Sequence, residues 1–256
     1  MKKYILLLLS VVLFVAEVRA QSSPYPNFHN TTQLVEFTTS KGVGQNFSFT
    51  LAPDETTGRP QFPIVFIEWE GNGNRQMINL NQEETFVVKV PASQIVRITG
   101  ENGLWTVKAV DQSVTEAKTS TASILRHLHL DKNLLGQSGN GGSDFKTNKS
   151  LETLSVSSNY YKTLEVKENK NLKTLNASSN LLENIDLTGL SHLVDLDLSK
   201  NLFAGSLVLP QNTYRNIDLR VNKFKISTLP ELPNGTLASA YHYNLQERYK
   251  LTEDQL

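Results

Sequence analysis

The chain has 256 residues, with 25 basic and 25 acidic side chains, a 39% hydrophobic fraction and no cysteine. A chain of this length and texture can bury one or two cores and belongs with globular proteins, not disordered tails. Disulfides, thiolate metal sites, cysteine nucleophiles and a lipid-bearing N-terminal cysteine are excluded, and the balanced charge recruits neither nucleic acid nor anionic lipid.

The first twenty residues carry Lys2 and Lys3, an apolar run from Ile5 to Val15, and Val18-Arg19-Ala20. This is the layout of a secretory signal peptide, 1–20, with cleavage expected between Ala20 and Gln21. The apolar run is too short to cross a hydrocarbon core of about 30 Å as a helix, so no transmembrane segment is expected in the mature chain. Cleavage would leave 22 basic and 24 acidic residues. The protein is expected to be exported, to the medium, the cell surface or the periplasm.

Residues 21–33 (QSSPYPNFHNTTQ) are polar, hold two prolines and lack periodicity, which reads as a linker. From 34 to 103 the texture is β. The runs Asn46–Leu51, Ile64–Trp69, Thr85–Val90 and Ile95–Thr99 are rich in β-branched and aromatic residues, and Pro53-Asp54, Gly71-Asn72-Gly73, Pro91 and Gly100 separate them. The rhythm predicts an antiparallel β-sandwich of six or seven strands.

The second half repeats. Asn133, Asn159, Asn180, Asn201 and Asn222 each close a segment of the form L-x-x-L-x-L-x-x-N, spaced by 26 residues once and by 21 thereafter. Aligned, the segments give four apolar columns. These are Leu125, Leu151, Leu172, Leu193 and Tyr214; Leu128, Leu154, Leu175, Leu196 and Ile217; Leu130, Val156, Ala177, Leu198 and Leu219; and Leu135, Tyr161, Leu182, Phe203 and Phe224. One such coil cannot bury its leucines alone, whereas stacked coils share a core. The columns therefore predict a short leucine-rich-repeat solenoid over 104–240 with a parallel sheet, its strands centred near His129, Ser155, Asn176, Asp197 and Asp218. The turn asparagines are expected to satisfy backbone groups left open by the bend. Val107 and Ala109 extend the register backward, so 104–123 reads as a capping coil, and 241–256 as a C-terminal tail. The extra residues of the first spacing fall in the glycine-rich loop 136–144. The runs Leu164–Val166, Ile185–Leu187 and Leu207–Leu209 are too brief for helices.

The stretch from Leu172 to Leu202, KTLNASSNLLENIDLTGLSHLVDLDLSKN between them, resembles the 21-residue unit of the internalin-J-like leucine-rich-repeat proteins on the surfaces of Bacteroidota bacteria. Phe37-TTSKGVGQNFSFTLA and Ile64-VFIEWEGNGN resemble the β domain that often precedes those repeats. The resemblance implies roles in adhesion, host interaction or biofilm formation. It departs where the family often carries cysteine, since Val156, Ala177, Leu198 and Leu219 stand there. The segment Tyr241–Tyr249 resembles the family's lead-in to a further β domain. In a bacterial host the sequons at Asn30, Asn46, Asn148, Asn176 and Asn234 are expected to be empty.

Alternation along each repeat strand points the residues between the leucines outward. The candidate ligand-binding face is His127, His129 and Asp131; Thr153 and Ser155; Thr174 and Asn176; Asp195 and Asp197; and Asn216, Asp218 and Arg220, with Ser157, Ser178 and Ser199 beside them. His127, His129 and Asp131 offer three divalent-metal donors, but exposed strand positions acquire His and Asp freely, so no metal or cofactor is assigned. Asp195, Asp197 and Asp218 read as a solvated acidic patch, because a glycosidase pair needs a cleft and a raised acid pKa. Glu68-Trp69-Glu70-Gly71-Asn72-Gly73 resembles the W-G-D-G turn of sandwich modules related to polycystic-kidney-disease domains, and is read as a hairpin turn. No nucleophile elbow, phosphate-cradling loop or HExxH occurs, and no enzymatic activity is expected. The expected function is recognition of a protein or glycan on a host or neighbouring cell surface. Alternatives are a structural module of a surface assembly and a carbohydrate-active accessory protein.

Overall fold

The computed structural model describes residues 32–53, 64–68, 75–101, 105–139, 145–244 and 246. The expected signal peptide and its cleavage point, the Trp69–Gly73 turn, the last part of the glycine-rich loop and the whole stretch after 246 lie outside the described residues.

The chain is mainly β with almost no helix. Eight strands precede the repeats: β1 (Thr32–Thr39), β2 (Asn46–Ala52), β3 (Ile64–Glu68), β4 (Arg75–Asn79), β5 (Glu84–Lys89), β6 (Ile95–Glu101), β7 (Thr106–Lys108) and β8 (Val114–Lys118). Each repeat contributes one three-residue strand, β9 (His127–His129), β10 (Thr153–Ser155), β11 (Thr174–Asn176), β12 (Asp195–Asp197) and β13 (Asn216–Asp218), and β14 (Tyr241–His242) follows. Two single-turn 3-10 segments, Ile226–Thr228 and Ala238–Ala240, are the helical content among the described residues.

The strands form two sheets, in the orders β4-β3-β6-β1-β8 and β14-β13-β12-β11-β10-β9-β7-β2-β5. The first is antiparallel. β1 is fixed at its centre by Glu36, which pairs across the strands with Arg97 on β6 and Lys118 on β8. The second changes direction at β7, which runs antiparallel to β2 and parallel to β9. It is thus the hinge between the two regions, and the repeat sheet is continuous with a sheet of the N-terminal region. Phe37 and Phe47, one from each sheet, have ring centroids 5.9 Å apart. One core cluster runs from these aromatics through the whole stack.

All four repeat columns are buried, from Leu125 to Phe224. The strands are centred one residue before the expected positions, on Leu128, Leu154, Leu175, Leu196 and Ile217, which pair in register. Three other expectations are corrected. Thr32 and Gln33, read as linker, already belong to β1. The capping coil divides, since β7 joins the stack whereas β8 crosses to pair with β1. The stretch read as a tail opens with β14, which continues the parallel stack on β13.

Each strand is only three residues long, but backbone bonds between coils run on past it, as from the Val156 N–H to the Asn176 carbonyl (2.8 Å) and the Ser158 N–H to the Ser178 carbonyl (2.9 Å), and side chains add to them. Asn159, Asn180, Asn201 and Asn222 each accept the N–H of Leu135, Tyr161, Leu182 or Phe203 in the preceding coil, at 3.0–3.2 Å. Each Nδ2 donates to a carbonyl of its own coil and one of the coil before, as Asn180 does to Ala177 (3.1 Å) and Val156 (2.9 Å). The residue before each asparagine, Lys132, Ser158, Ser179, Lys200 or Val221, takes the left-handed conformation at φ 55–56°. Gln112, in register one coil earlier, and Gln246, at the far end, take over the role at the two ends. Gly136 is required by its surroundings, for at φ +81° an added Cβ would lie 2.8 Å from the Tyr160 carbonyl oxygen.

Candidate functional site

Cross-strand partners in a sheet lie on the same face. Pairing therefore carries one row from Thr85 on β5 through Thr50, Lys108, His129, Ser155, Asn176 and Asp197 to Asp218 and His242. A second row holds His127, Thr153, Thr174, Asp195 and Asn216. Two residues beyond the first row lie Asp131, Ser157, Ser178, Ser199 and Arg220. The structure thus brings every candidate residue to one margin of one sheet, and that face continues onto β2 and β5, which the repeat pattern does not reveal.

The face is less free than the sequence suggests. Ser155 and Asp218 are 7% exposed. Asn176, Asp197 and Asp218 each accept the backbone N–H two residues on, from Ser178 (3.1 Å), Ser199 (2.9 Å) and Arg220 (3.0 Å). In the Ser155 coil the shorter serine does not fill this role, its hydroxyl donating to Asp131 instead. Asp131 from the coil before substitutes, its Oδ1 accepting the Ser157 N–H (2.8 Å) and the hydroxyls of Ser155 (2.6 Å) and Ser157 (2.7 Å). Asp131 is consequently a turn-capping acceptor. Among the described residues no group of three or more His, Cys, Asp or Glu side chains is placed to hold a metal ion.

The two histidines are half-buried, and burial pushes both imidazoles below their ordinary pKa. At neutral pH they are uncharged groups with one donor and one acceptor each. His127 Nδ1 lies 3.1 Å from the Thr153 hydroxyl.

The acidic end is a set of ion pairs and capped carboxylates, which corrects the reading of a solvated patch. Arg215 pairs with Asp195, and Arg220 with Asp218. Burial alone would raise the Asp218 carboxyl, but the hydrogen bonds and charge of Arg220 outweigh it and hold the pKa below its usual value. Where the strands begin, Glu152 bridges Lys173 (2.7 Å) and Arg126 (3.5 Å), and Arg126 stacks 4.0 Å above the Trp105 ring. Trp105, Arg126, Glu152, Lys173 and Arg215 were missed by sequence reasoning. The signal was there: Trp105, Arg126, Lys173 and Arg215 sit one residue before their strands, as Glu152 does.

On the opposite edge, Leu164, Val166 and Ile185 floor a concavity of about 410 Å³ rimmed by charged residues that include Lys167, Asp186 and Glu165. Lys167 and Asp186 pair at 3.0 Å. A second asparagine series runs along this edge, where Asn148 and Asn169 are fully buried and donate to carbonyls of neighbouring coils. The sequon at Asn148 is closed in the folded chain, because both Nδ2 protons go to Thr119 and Ala122 carbonyls (2.7 and 2.9 Å). No helix among the described residues is long and apolar enough to cross a membrane. No family model matches the chain, and no curated protein matches it.

Proposed function

We propose that the chain is an exported, non-enzymatic binding protein, an antiparallel sandwich followed by a leucine-rich-repeat solenoid of the internalin-J-like kind, which engages a protein or glycan partner through its strand face. The observation that carries this reading is the in-register row from Thr50 to His242 on one sheet. Side chains fixed by pairing on both sides, and by turn caps beneath, lose little freedom when a partner docks, which lowers the entropic cost of binding. The chemistry of the row supports recognition. It offers neutral imidazoles, hydroxyls and amides at one end and carboxylates held by arginines at the other, all on an open surface. Export is supported by the layout of residues 1–20, and adhesion by the resemblance of the repeats.

The test begins with the mature protein as bait on an extract of cell-surface proteins and glycans, followed by surface plasmon resonance on what is captured. Changing Asp195, Asp197 and Asp218 together to Asn keeps the turn-capping acceptors while removing the charge. Affinity should fall by about tenfold and lose much of its salt dependence, since exposed charges act through screened long-range attraction. A control combining Glu165→Gln, Lys167→Gln and Asp186→Asn should bind as wild type. The opposite pattern moves recognition to the other edge and overturns the proposal.

A further inference from the structure

We infer a second, independent site at the N-terminal end of the same sheet, an oxyanion site built on Lys41 and Lys89 that takes the sulfate or carboxylate group of an acidic sugar. Lys41, Gln45, Asn46, Lys89 and Ser113 line an open concavity of about 500 Å³. Its organising residue is Asn46, at the start of β2, opposite Lys89 at the end of β5. The Lys89 ammonium donates to Asn46 Oδ1 (2.7 Å), and the Lys41 ammonium to the Asn46 backbone carbonyl (3.0 Å). Two cations are therefore gathered on one asparagine, within about a Debye length of each other at physiological salt.

Among the described residues neither lysine pairs with a carboxylate; the only other partner is Gln112, whose Oε1 accepts from Lys41 at 2.8 Å. Lys108 nearby shows the contrast, for it is neutralised by Glu83. An ammonium has three donors and no acceptor, so Lys41 keeps one proton to give and Lys89 two. Gln45 spends its carbonyl on the Gly42 N–H (2.7 Å), which leaves its amide nitrogen free among the described residues. The Asn46 amide nitrogen and the Ser113 hydroxyl proton are likewise unspent there. The concavity is thus a convergence of unused donors and positive charge, complementary to an acceptor-rich anion. The neutral amides and hydroxyl beside the cations suit the hydroxyls of a sugar carrying that anion.

The site is also held in place. The turn bearing Lys41 is tied to the strands by Gly44 N–H to the Val90 carbonyl (2.9 Å), Val90 N–H to the Gln45 carbonyl (2.9 Å) and the Gln94 amide to the Lys41 carbonyl (2.9 Å). Its existence does not depend on the acidic end of the face recognising anything.

Isothermal titration calorimetry on the full mature chain tests this with a chondroitin-sulfate disaccharide, digalacturonate, inorganic sulfate and lactose. The wild type should bind at least one acid-bearing sugar more tightly than inorganic sulfate, and lactose not measurably; which sugar binds identifies the acid. Lys41→Gln with Lys89→Gln should weaken that binding more than tenfold at an unchanged melting temperature. Lys108→Gln should leave it alone, Lys41→Arg with Lys89→Arg should keep it, and the Asp195, Asp197, Asp218 triple variant should bind as well as wild type or better. Failure of both acid-bearing sugars to bind, or undiminished binding by the double Gln variant, overturns the site. Inorganic sulfate binding as tightly as the sugars overturns its assignment to a sugar.

Discussion

The N-terminal strands, of which β2, β5 and β7 share a sheet with the repeat strands, are stabilised differently from them. β1, β2 and β6 are seven or eight residues long, and their register is set by backbone pairing, buried aromatics and the Glu36 triad. β9 to β13 are three residues each, too short to define a register by themselves. Their alignment is set by leucine columns on one side and by the asparagine ladder at the turn, together with backbone bonds between coils on either side of each strand. The contrast teaches that a repeat adds recurring side chains to short stretches of backbone pairing, and that such a stack needs a partner at its first coil. β7 is that partner, because it offers β9 a parallel edge while β2 secures its other side.

The largest expected effect attacks the columns. Leu175→Asp puts a carboxylate in the shared core of a middle coil, where desolvation without a partner costs several kcal/mol. Because coils contact only neighbours, hydrogen exchange should show lost protection in β10–β12 while β1 and β6 stay protected. A variant that melts like wild type would remove Leu175 from the core. Next in size is Asn180→Leu, which fits the volume but abandons the Tyr161 N–H and the carbonyls of Val156 and Ala177. Unsatisfied buried polar groups cost about 1–3 kcal/mol each, so a loss of roughly 3–5 kcal/mol is expected by urea unfolding. An equal loss from an apolar substitution at exposed Asn171 would mean that the ladder is not what distinguishes the two regions.

A smaller effect belongs to the N-terminal side. Burial alone would raise the Glu36 carboxyl, but the hydrogen bonds from Lys118 and Arg97 outweigh it and hold its pKa low. The unfolded chain, with an ordinary Glu near 4.3, takes up its proton first as pH falls. The triad's stability is therefore complete above that value and is lost as pH drops through the lower, folded value. Glu36→Gln should cost about 1–2 kcal/mol at neutral pH, discounted for the partly exposed cations, and should flatten this acid limb. The smallest effect should be a gain. Val221 holds a β-branched side chain at φ 56° in a turn where it is well exposed. Val221→Asn relieves a conformation that costs a branched residue about 1–2 kcal/mol and should raise the melting temperature by a few degrees.

The repeat half was legible because its columns recur at a fixed period, and period is visible in a single sequence. The candidate face followed from the same alternation. The antiparallel strands were legible only where β-branched and aromatic residues cluster; Arg75–Asn79 lacks that texture and so was not anticipated as β4. The place of β7 beside β9 followed from Val107 in register with Leu128, but its second pairing with β2 was hidden because partners far apart in sequence leave no local mark. Gln112 was recoverable, since it stands 21 residues before Asn133, whereas Gln246 breaks the period by three residues. The capping of Ser157 by Asp131 was not legible, because it crosses from one coil to the next and exists only where a serine replaced the usual Asn or Asp.

The claim that matters most is that a partner docks on the strand face of the continuous sheet. Carbodiimide labelling of carboxylates, read by mass spectrometry with and without the captured partner, tests it directly. Partner binding should protect Asp197 and Asp195 while Glu165 and Asp186 on the opposite edge label at unchanged rates; protection of Glu165 and Asp186 with Asp195 and Asp197 unaffected would contradict it.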